Sequence, residues 1–161
     1  MNEQAIFTIV RLPADFCRWN DLLTLITGAF AYMDGVVDPP SSARGLTSQS
    51  LAEKASVETC FVAMRGDELA GCVFIDERDE HFYIGKLAIA PDCQGRGLGR
   101  ALMTAVEQHA LSRGKQQLEL QTRVELTGNQ AAFATLGFRE TGRTAHPGYS
   151  RPTSITMRKV L

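Results

Sequence analysis

Apolar and polar positions follow two periods along this chain, and the switches between them mark the elements. Residues 5–11 read as a short strand. From Pro13 to about Ala31, Phe16, Trp19, Leu23, Ile26 and Phe30 recur at three- and four-residue steps, which predicts one face of an amphipathic helix. The polar run Asp34–Ser42 holds Pro39 and Pro40 and breaks the period, so it predicts a loop. Ser50 and Glu53 have capping-box spacing inside a predicted short helix, Thr47–Ala55. Cys60–Arg65 and Leu69–Asp76 are strands joined by Gly66-Asp67-Glu68, which is hairpin chemistry. A polar turn, Glu77–Glu80, leads into a long strand, His81–Ala90. After a glycine-rich turn, a helix runs to about Arg113, and Gly114 is its stop signal. Gln117–Arg123 sets Leu118 and Leu120 against Glu119 and Gln121, as a strand does. Asn129 is the expected cap of a short helix ending at Leu136-Gly137-Phe138. Phe138–Thr144, a proline-containing loop and a last strand, Ser154–Val160, complete the pattern.

The order is β-α-α-β-β-β-α-β-α-β-β. Hairpins join most strands, with helical crossovers around the fifth. That predicts a mixed α/β (α+β) fold: one central sheet of about seven strands with helices on both faces. A length of 161 residues suits a single domain, 1–161, with a sizeable core. Apolar residues at 44% and charged residues at 22% fit a soluble globular chain. The formal net charge is −1 and no basic block exists, so no electrostatic footprint for nucleic acid is present. No apolar run reaches the length of a membrane span. Met1-Asn2-Glu3-Gln4 does not open a secretory signal, and a cytoplasmic location is expected. Cys17, Cys60, Cys72 and Cys93 form no Cys-x-x-Cys pair, and only three His accompany them. Free thiols are expected, and no metal site. Cys93 reads as a small turn residue rather than a nucleophile.

The chemistry concentrates in the turn after the long strand, Gln94-Gly95-Arg96-Gly97-Leu98-Gly99-Arg100. Three glycines in five residues let a ligand approach the main chain, several N–H groups can converge on it, and the next helix adds its positive end. Such a turn grips phosphate. A P-loop would close it with Lys-Ser or Lys-Thr, which is absent. A dinucleotide fingerprint needs Gly at the sixth position, where Arg100 stands, although Glu119 lies where such a fold places its ribose acid. The segment resembles the Gln/Arg-x-x-Gly-x-Gly/Ala signature of the GNAT superfamily of acyl-CoA N-acyltransferases. Leu87-Ala88-Ile89-Ala90-Pro91 matches the usual lead-in. Asn129-Gln130-Ala131-Ala132-Phe133-Ala134-Thr135-Leu136-Gly137-Phe138 is similar to the family's Asn…Tyr-x-x-Leu-Gly-Phe helix. The element order is similar too, so the resemblance covers nearly the whole chain.

The resemblance implies a mostly antiparallel sheet, splayed between its fourth and fifth strands, and acetyl-CoA as cosubstrate. It implies a pyrophosphate on the main chain of Gly95, Arg96, Gly97, Leu98, Gly99 and Arg100, with Gln94 beside them. The pantetheine arm would pair with Leu87, Ala88 and Ile89, and an N–H near Leu87 or Ala88 would face the thioester oxygen. Asn129 and Phe133 would complete the cofactor site. The acceptor would be an amine of a small molecule or a peptide, attacking directly in a ternary complex. A homodimer is compatible with the resemblance; nucleic acid and membrane are not expected partners.

An amine must lose its proton to attack, so a base or a water chain is required. The family's usual carboxylate on the fourth strand is missing from His81-Phe82-Tyr83-Ile84-Gly85. Tyr83 falls nearest and is a candidate for ordering water; Glu119 and Glu125 are the alternative carboxylates. The family's acid, a Tyr, aligns with Phe133, which cannot donate. A thiol with a pKa of roughly 8.5 still leaves tolerably well. Tyr149 and His146, in the stiff polar loop His146–Thr153, are candidate catalytic groups on the acceptor side. Tyr32, Asp34 and Asp38 form a second candidate acceptor wall that suits a cation. Arg123, Arg143 and Arg151 suit a carboxylate instead. The rival readings are a non-catalytic acyl-CoA sensor of the same fold and a nucleotide-binding α/β protein.

Overall fold

The computed structural model describes residues 6–161. Ala5 of the first predicted strand and the expectation about Met1–Gln4 lie outside the described residues. The elements are β1 (Thr8–Arg11), α1 (Trp19–Phe30), α2 (Ser48–Val57), β2 (Thr59–Arg65), β3 (Glu68–Glu77), β4 (Phe82–Ile89), α3 (Leu98–Ser112), β5 (Gln117–Arg123), α4 (Thr127–Thr135), β6 (Arg139–Thr144) and β7 (Ser154–Val160). The strands form one sheet in the order β1-β2-β3-β4-β5-β7-β6. Every pairing is antiparallel except β4 with β5.

Each face of the sheet has its own core. On one face Leu22, Leu25 and Ile26 of α1 and Leu51 of α2 pack on Cys60, Val62, Cys72 and Phe74. On the other, Leu102, Met103 and Val106 of α3 pack on Val73, Ile75, Phe82, Ile84, Leu118 and Leu120. β3 lies between two layers, which is why Ala70–Ile75 is buried without interruption and carries no polar alternation. A fully buried side chain such as Phe74 contributes about 1.5–3 kcal/mol over an exposed one.

Two features of β4 shape the rest. Phe82 and Ile84 face the α3 core, and so do Leu87 and Ile89, so the alternation changes phase between them. The pairing shows why: Phe74 lies opposite Gly85 and Cys72 opposite Ala88, so β4 spends one residue more than β3. Lys86 sits in this bulge with φ +49°, uncommon for a residue with a side chain. The second feature is a short ladder to β5. Only Phe82, Tyr83 and Ile84 pair, with Leu118, Glu119 and Leu120. Beyond them the strands splay, as the family resemblance implied.

Local differences have local causes. The first helix starts at Trp19 rather than Pro13, and Phe16 instead packs edge-on against Trp19 at 4.8 Å between centroids. The predicted loop 34–42 runs into a 3-10 turn at Ser42–Gly45. The capping box of α2 is Thr47 with Ser50, not Ser50 with Glu53: Thr47 Oγ1 accepts from Ser50 N and Ser50 Oγ accepts from Thr47 N. Asn129 does not cap α4, whose N-cap is Leu126; it lies in the first turn with its side chain free for other use. Gly114, at φ +74°, ends α3 as expected.

The capping assignment is testable. Thr47→Ala should lower stability by about 1 kcal/mol, the usual worth of such a cap, and Glu53→Ala should leave it within about 0.5 kcal/mol. Urea unfolding of both variants checks this; equal losses would contradict the Thr47 cap.

Candidate functional site

β4 passes through a 3-10 turn at Pro91–Cys93 into the glycine turn. Gly95 (φ +76°) and Gly97 (φ +81°) both occupy the left-handed region, which only glycine enters cheaply. Gly97 is the N-cap of α3 and supplies no side chain to it. The first amides of a 15-residue helix therefore remain available. Around the turn, a Cβ at Gly95, Gly97 or Gly99 would meet no atom within 4 Å, so this side is open. Leu98 is buried in the core and offers only its main chain. The open main chain and the helix dipole together suit an anion.

The turn ends a groove of about 790 Å³. Gln94, Gly99 and Arg100 line it, with Gly95, Arg96, Gly97 and Leu98 falling between them in sequence. Arg96 and Arg100 are exposed, and neither forms an ion pair among the described residues. Leu87, Ala88 and Ile89 form the strand wall; Phe30 and Tyr32 close one side, and Asn129, Phe133 and Leu136 of α4 the other. Ala90 N donates to Ala70 O at 2.8 Å. Antiparallel alternation then turns the main chain of Ile89 away from β3, toward the splay. An extended ligand arm can pair there.

A second cleft, of about 470 Å³, opens on the other side of the splay. Tyr83, Gly85 and Lys86 of β4, Gln121, Thr122 and Arg123 of β5, Ser41 and Ser42, Lys54 and His146 line it. Phe30, Leu87, Asn129 and Phe133 line both spaces, so the two meet at the open end of the β4–β5 pair. A donor in the groove and an acceptor in the cleft would touch where the strands part.

The structure sorts the predicted catalytic residues. Tyr83 lines the cleft, and burial, then the Glu119 charge, pushes its phenol up. Arg78 stacks over its ring at 5.0 Å. His146 also lines the cleft; its Nδ1 is bonded to Thr153 Oγ1, which leaves Nε2 for the cleft side. Tyr149 does not line either space. Its hydroxyl donates to Asp38 Oδ1, and that bond holds the phenol above its ordinary value. Arg151 lies over the Tyr149 ring and pairs with Asp38 at 3.3 Å, so this group straps the β6–β7 loop to the loop before α2. A phenol spent on a carboxylate in this way is a poor proton donor to anything else.

The carboxylates also lie away from the cleft. Glu119 is held by Arg158 at 2.7 Å, with His81 at 3.8 Å. Glu125 lies 3.6 Å from Arg151, and both its oxygens are buried without a hydrogen-bond partner. Asp34 faces Arg44 at 3.8 Å. None of them lines the cleft, and Arg143, paired with Glu140, and Arg151 do not line it either. Cys93 is buried, and its thiol is pushed up by burial and then by Asp92, the opposite of what a nucleophile needs. All four cysteines are free. Among the described residues no group of three metal-ligating side chains occurs, and no helix is long and apolar enough to cross a membrane.

Sequence reasoning put Tyr32 on the acceptor wall with Asp34 and Asp38. The structure puts it in the groove, where its hydroxyl accepts from Asn129 Nδ2 at 2.9 Å. The phenolic hydrogen stays free to donate. Lys86 was not singled out at all. The signal was present: Phe82 and Ile84, then Leu87 and Ile89, shift phase by one residue, which is how a bulge reads in sequence.

The profile of the acetyltransferase (GNAT) family matches residues 19–138. The chain belongs to the GNAT acetyltransferase family. A search of curated proteins gives no match. Solved structures with this fold include the PaiA N-acetyltransferase of Thermoplasma acidophilum in complex with coenzyme A. It is 12% identical with a TM-score of 0.81, over 97% of this chain and 99% of that one. A GNAT acetyltransferase of Elizabethkingia anophelis with acetyl-CoA bound is 21% identical (TM-score 0.68, 96% and 98% covered). The ribosomal-protein-S18-alanine N-acetyltransferase of Escherichia coli is 19% identical (TM-score 0.69, 96% and 94%). At these identities the likeness is one of fold. The seven-stranded, mostly antiparallel sheet with its parallel β4–β5 pair is therefore a GNAT fold.

The loop strap has a spectroscopic signature. Asp38→Asn should bring the Tyr149 phenol down toward its ordinary value, since the carboxylate that favours its protonated form is gone. Ultraviolet titration of the tyrosines should show one of the three ionising at lower pH than in the wild type. An unchanged titration curve would contradict the bond.

Proposed function

We propose that the chain, acting as one catalytic unit, transfers an acetyl group from acetyl-CoA to an amine by direct attack in a ternary complex. The observation that carries this reading is the meeting of groove and cleft at the splay, with an anion-binding helix end on the groove side alone. Acetyl-CoA fits the groove in kind: amides for a pyrophosphate at the glycine turn, unpaired strand main chain for a pantetheine arm, and an apolar wall at Phe133 and Leu136. The thioester would then reach the junction from one side and the amine from the other.

The steps assign roles. A main-chain N–H near Leu87, beside the bulge, stabilises the oxyanion that forms as the amine attacks the thioester carbon. The cleft lining holds no carboxylate. His146 is the lining group able to take a proton as a neutral base, directly or through a water also held by Tyr83. Collapse of the tetrahedral species breaks the C–S bond and releases the CoA thiolate. Phe133, at the family's usual acid position, packs edge-on against Phe138 with centroids 6.0 Å apart and supplies no proton. Tyr32, oriented by Asn129 on the opposite wall of the groove, takes over that role from the other side.

Acetyl-CoA turnover against a broad amine panel, read as thiol release, tests the reading. Binding of acetyl-CoA without transfer to any amine would favour a sensor instead. The proton donor is tested by substitution: Tyr32→Phe should lower kcat roughly ten- to a hundredfold, the low end of general-acid effects because the thiolate leaves well unaided. Tyr149→Phe should change it less than about threefold, since its hydroxyl lies outside both spaces. The reverse ranking would return the role to Tyr149.

Two glycine variants test the groove. Gly99→Val adds a side chain to the lining at a helical position with ordinary φ, so the fold should persist while CoA affinity falls about tenfold or more. Gly97→Val adds backbone strain of about 1–2 kcal/mol as well, and should weaken both CoA binding and stability. Calorimetric titration with CoA, beside thermal melts, checks them. Equal CoA affinity in folded Gly99→Val and wild type would place the pyrophosphate elsewhere.

A further inference from the structure

The acceptor cleft is cationic, and its positive charge is not spent within the protein. Lys54 has a partner, Glu58, at 2.7 Å. Lys86 and Arg123 have none: among the described residues no carboxylate lies within 4 Å of either. Lys86 Nζ donates to the neutral Ser42 Oγ at 2.9 Å. Arg123 donates to the carbonyls of Pro39 and Pro40, at 2.7 and 3.1 Å. The two cations stand on the two arms of the splay, one at the β4 bulge and one at the end of β5, and both line the cleft. Burial, and then the charge of Lys54, makes the Lys86 ammonium easier to deprotonate than an ordinary one. An anion beside it would relieve that penalty. Thr122 adds a third group, because its hydroxyl is buried in the same wall and has no partner. A volume of about 470 Å³ suits a small molecule.

We propose that the cleft takes a small amine bearing an anionic group, a carboxylate in the simplest case, with Lys86 and Arg123 holding the anion while the amine points to the splay. This rests on the acetyl-transfer reading for the amine and on the cleft alone for the anion. The acids suited to a cationic amine, Asp34 and Asp38, are paired with Arg44 and Arg151 and do not line the cleft. A polycationic acceptor would meet Lys86 and Arg123 with like charge.

The test uses matched acceptors: each amino acid, its α-amide, its decarboxylated amine and its aminophosphonate. With acetyl-CoA, kcat/KM should be at least tenfold higher for the anionic members, and the carboxylate and phosphonate arms report which anion fits. Lys86→Met should raise KM for anionic acceptors about tenfold or more and by a clearly smaller factor for neutral ones. Lys86→Gln provides the same readout should the first variant fold poorly, and Arg123→Lys should retain most of the preference. Faster turnover of the neutral or cationic members would overturn the proposal and leave acetyl transfer standing. If no amine is turned over, the same compounds are titrated calorimetrically into the protein–CoA complex. Binding of an anionic member that Lys86→Met abolishes would uphold the anion site while the transfer reading fails. No binding by any anionic member would overturn the site as well.

Discussion

One extra residue in β4 determines how this molecule can work. The bulge at Gly85–Lys86 breaks the ladder to β3, and β4 parts from β5 just before it. It reverses the facing of everything beyond, so that Leu87 and Ile89 join the α3 core while Lys86 is left beside the cleft. The splay from β5 leaves strand main chain without a strand partner. Unpaired backbone groups away from water are costly, and an extended ligand arm is the natural partner for them. The early end of the β4–β5 ladder makes an opening in an otherwise continuous sheet, and both candidate binding spaces meet at that opening.

The glycine turn and the bulge act at opposite ends of one groove by different means. The turn exposes amides by placing two glycines at positive φ and starting a long helix without a side-chain cap. The splay beside the bulge exposes them by ending the ladder to β5. Between them the wall is apolar, which leaves orientation to the few polar groups present. A ligand that is charged at one end and amide-like along its length matches this sequence of surfaces.

Charge is distributed so that the cleft keeps one sign. Glu119 is neutralised by Arg158, Asp38 by Arg151 and Asp34 by Arg44, each outside the lining. The overall charge of −1 therefore conceals a cationic cleft. The Asp38–Tyr149–Arg151 strap contributes indirectly. It ties together two loops, one of which gives Pro39 and Pro40 as carbonyl acceptors for Arg123, and so helps to hold that guanidinium at the cleft.

The sequence by itself determined the elements, their order and the glycine turn. Those depend on near neighbours: apolar spacing along α3, the uninterrupted apolar run of β3, and glycines at positions whose φ only glycine tolerates. It also carried both family motifs, and with them the sheet and its splay. Tertiary structure alone decided which polar side chains face the junction. Tyr32 meets Asn129 across 97 residues, Tyr149 meets Asp38 across 111, and Glu119 meets Arg158 across 39. No local period specifies such partners, because a side chain's role there depends on which loop folds over it. That is why Tyr149, a candidate catalytic group in the sequence, ties two loops together in the structure, while Tyr32, expected on the acceptor wall, lines the groove. It is also why three arginines that looked alike in the chain separated into one facing the cleft and two spent elsewhere.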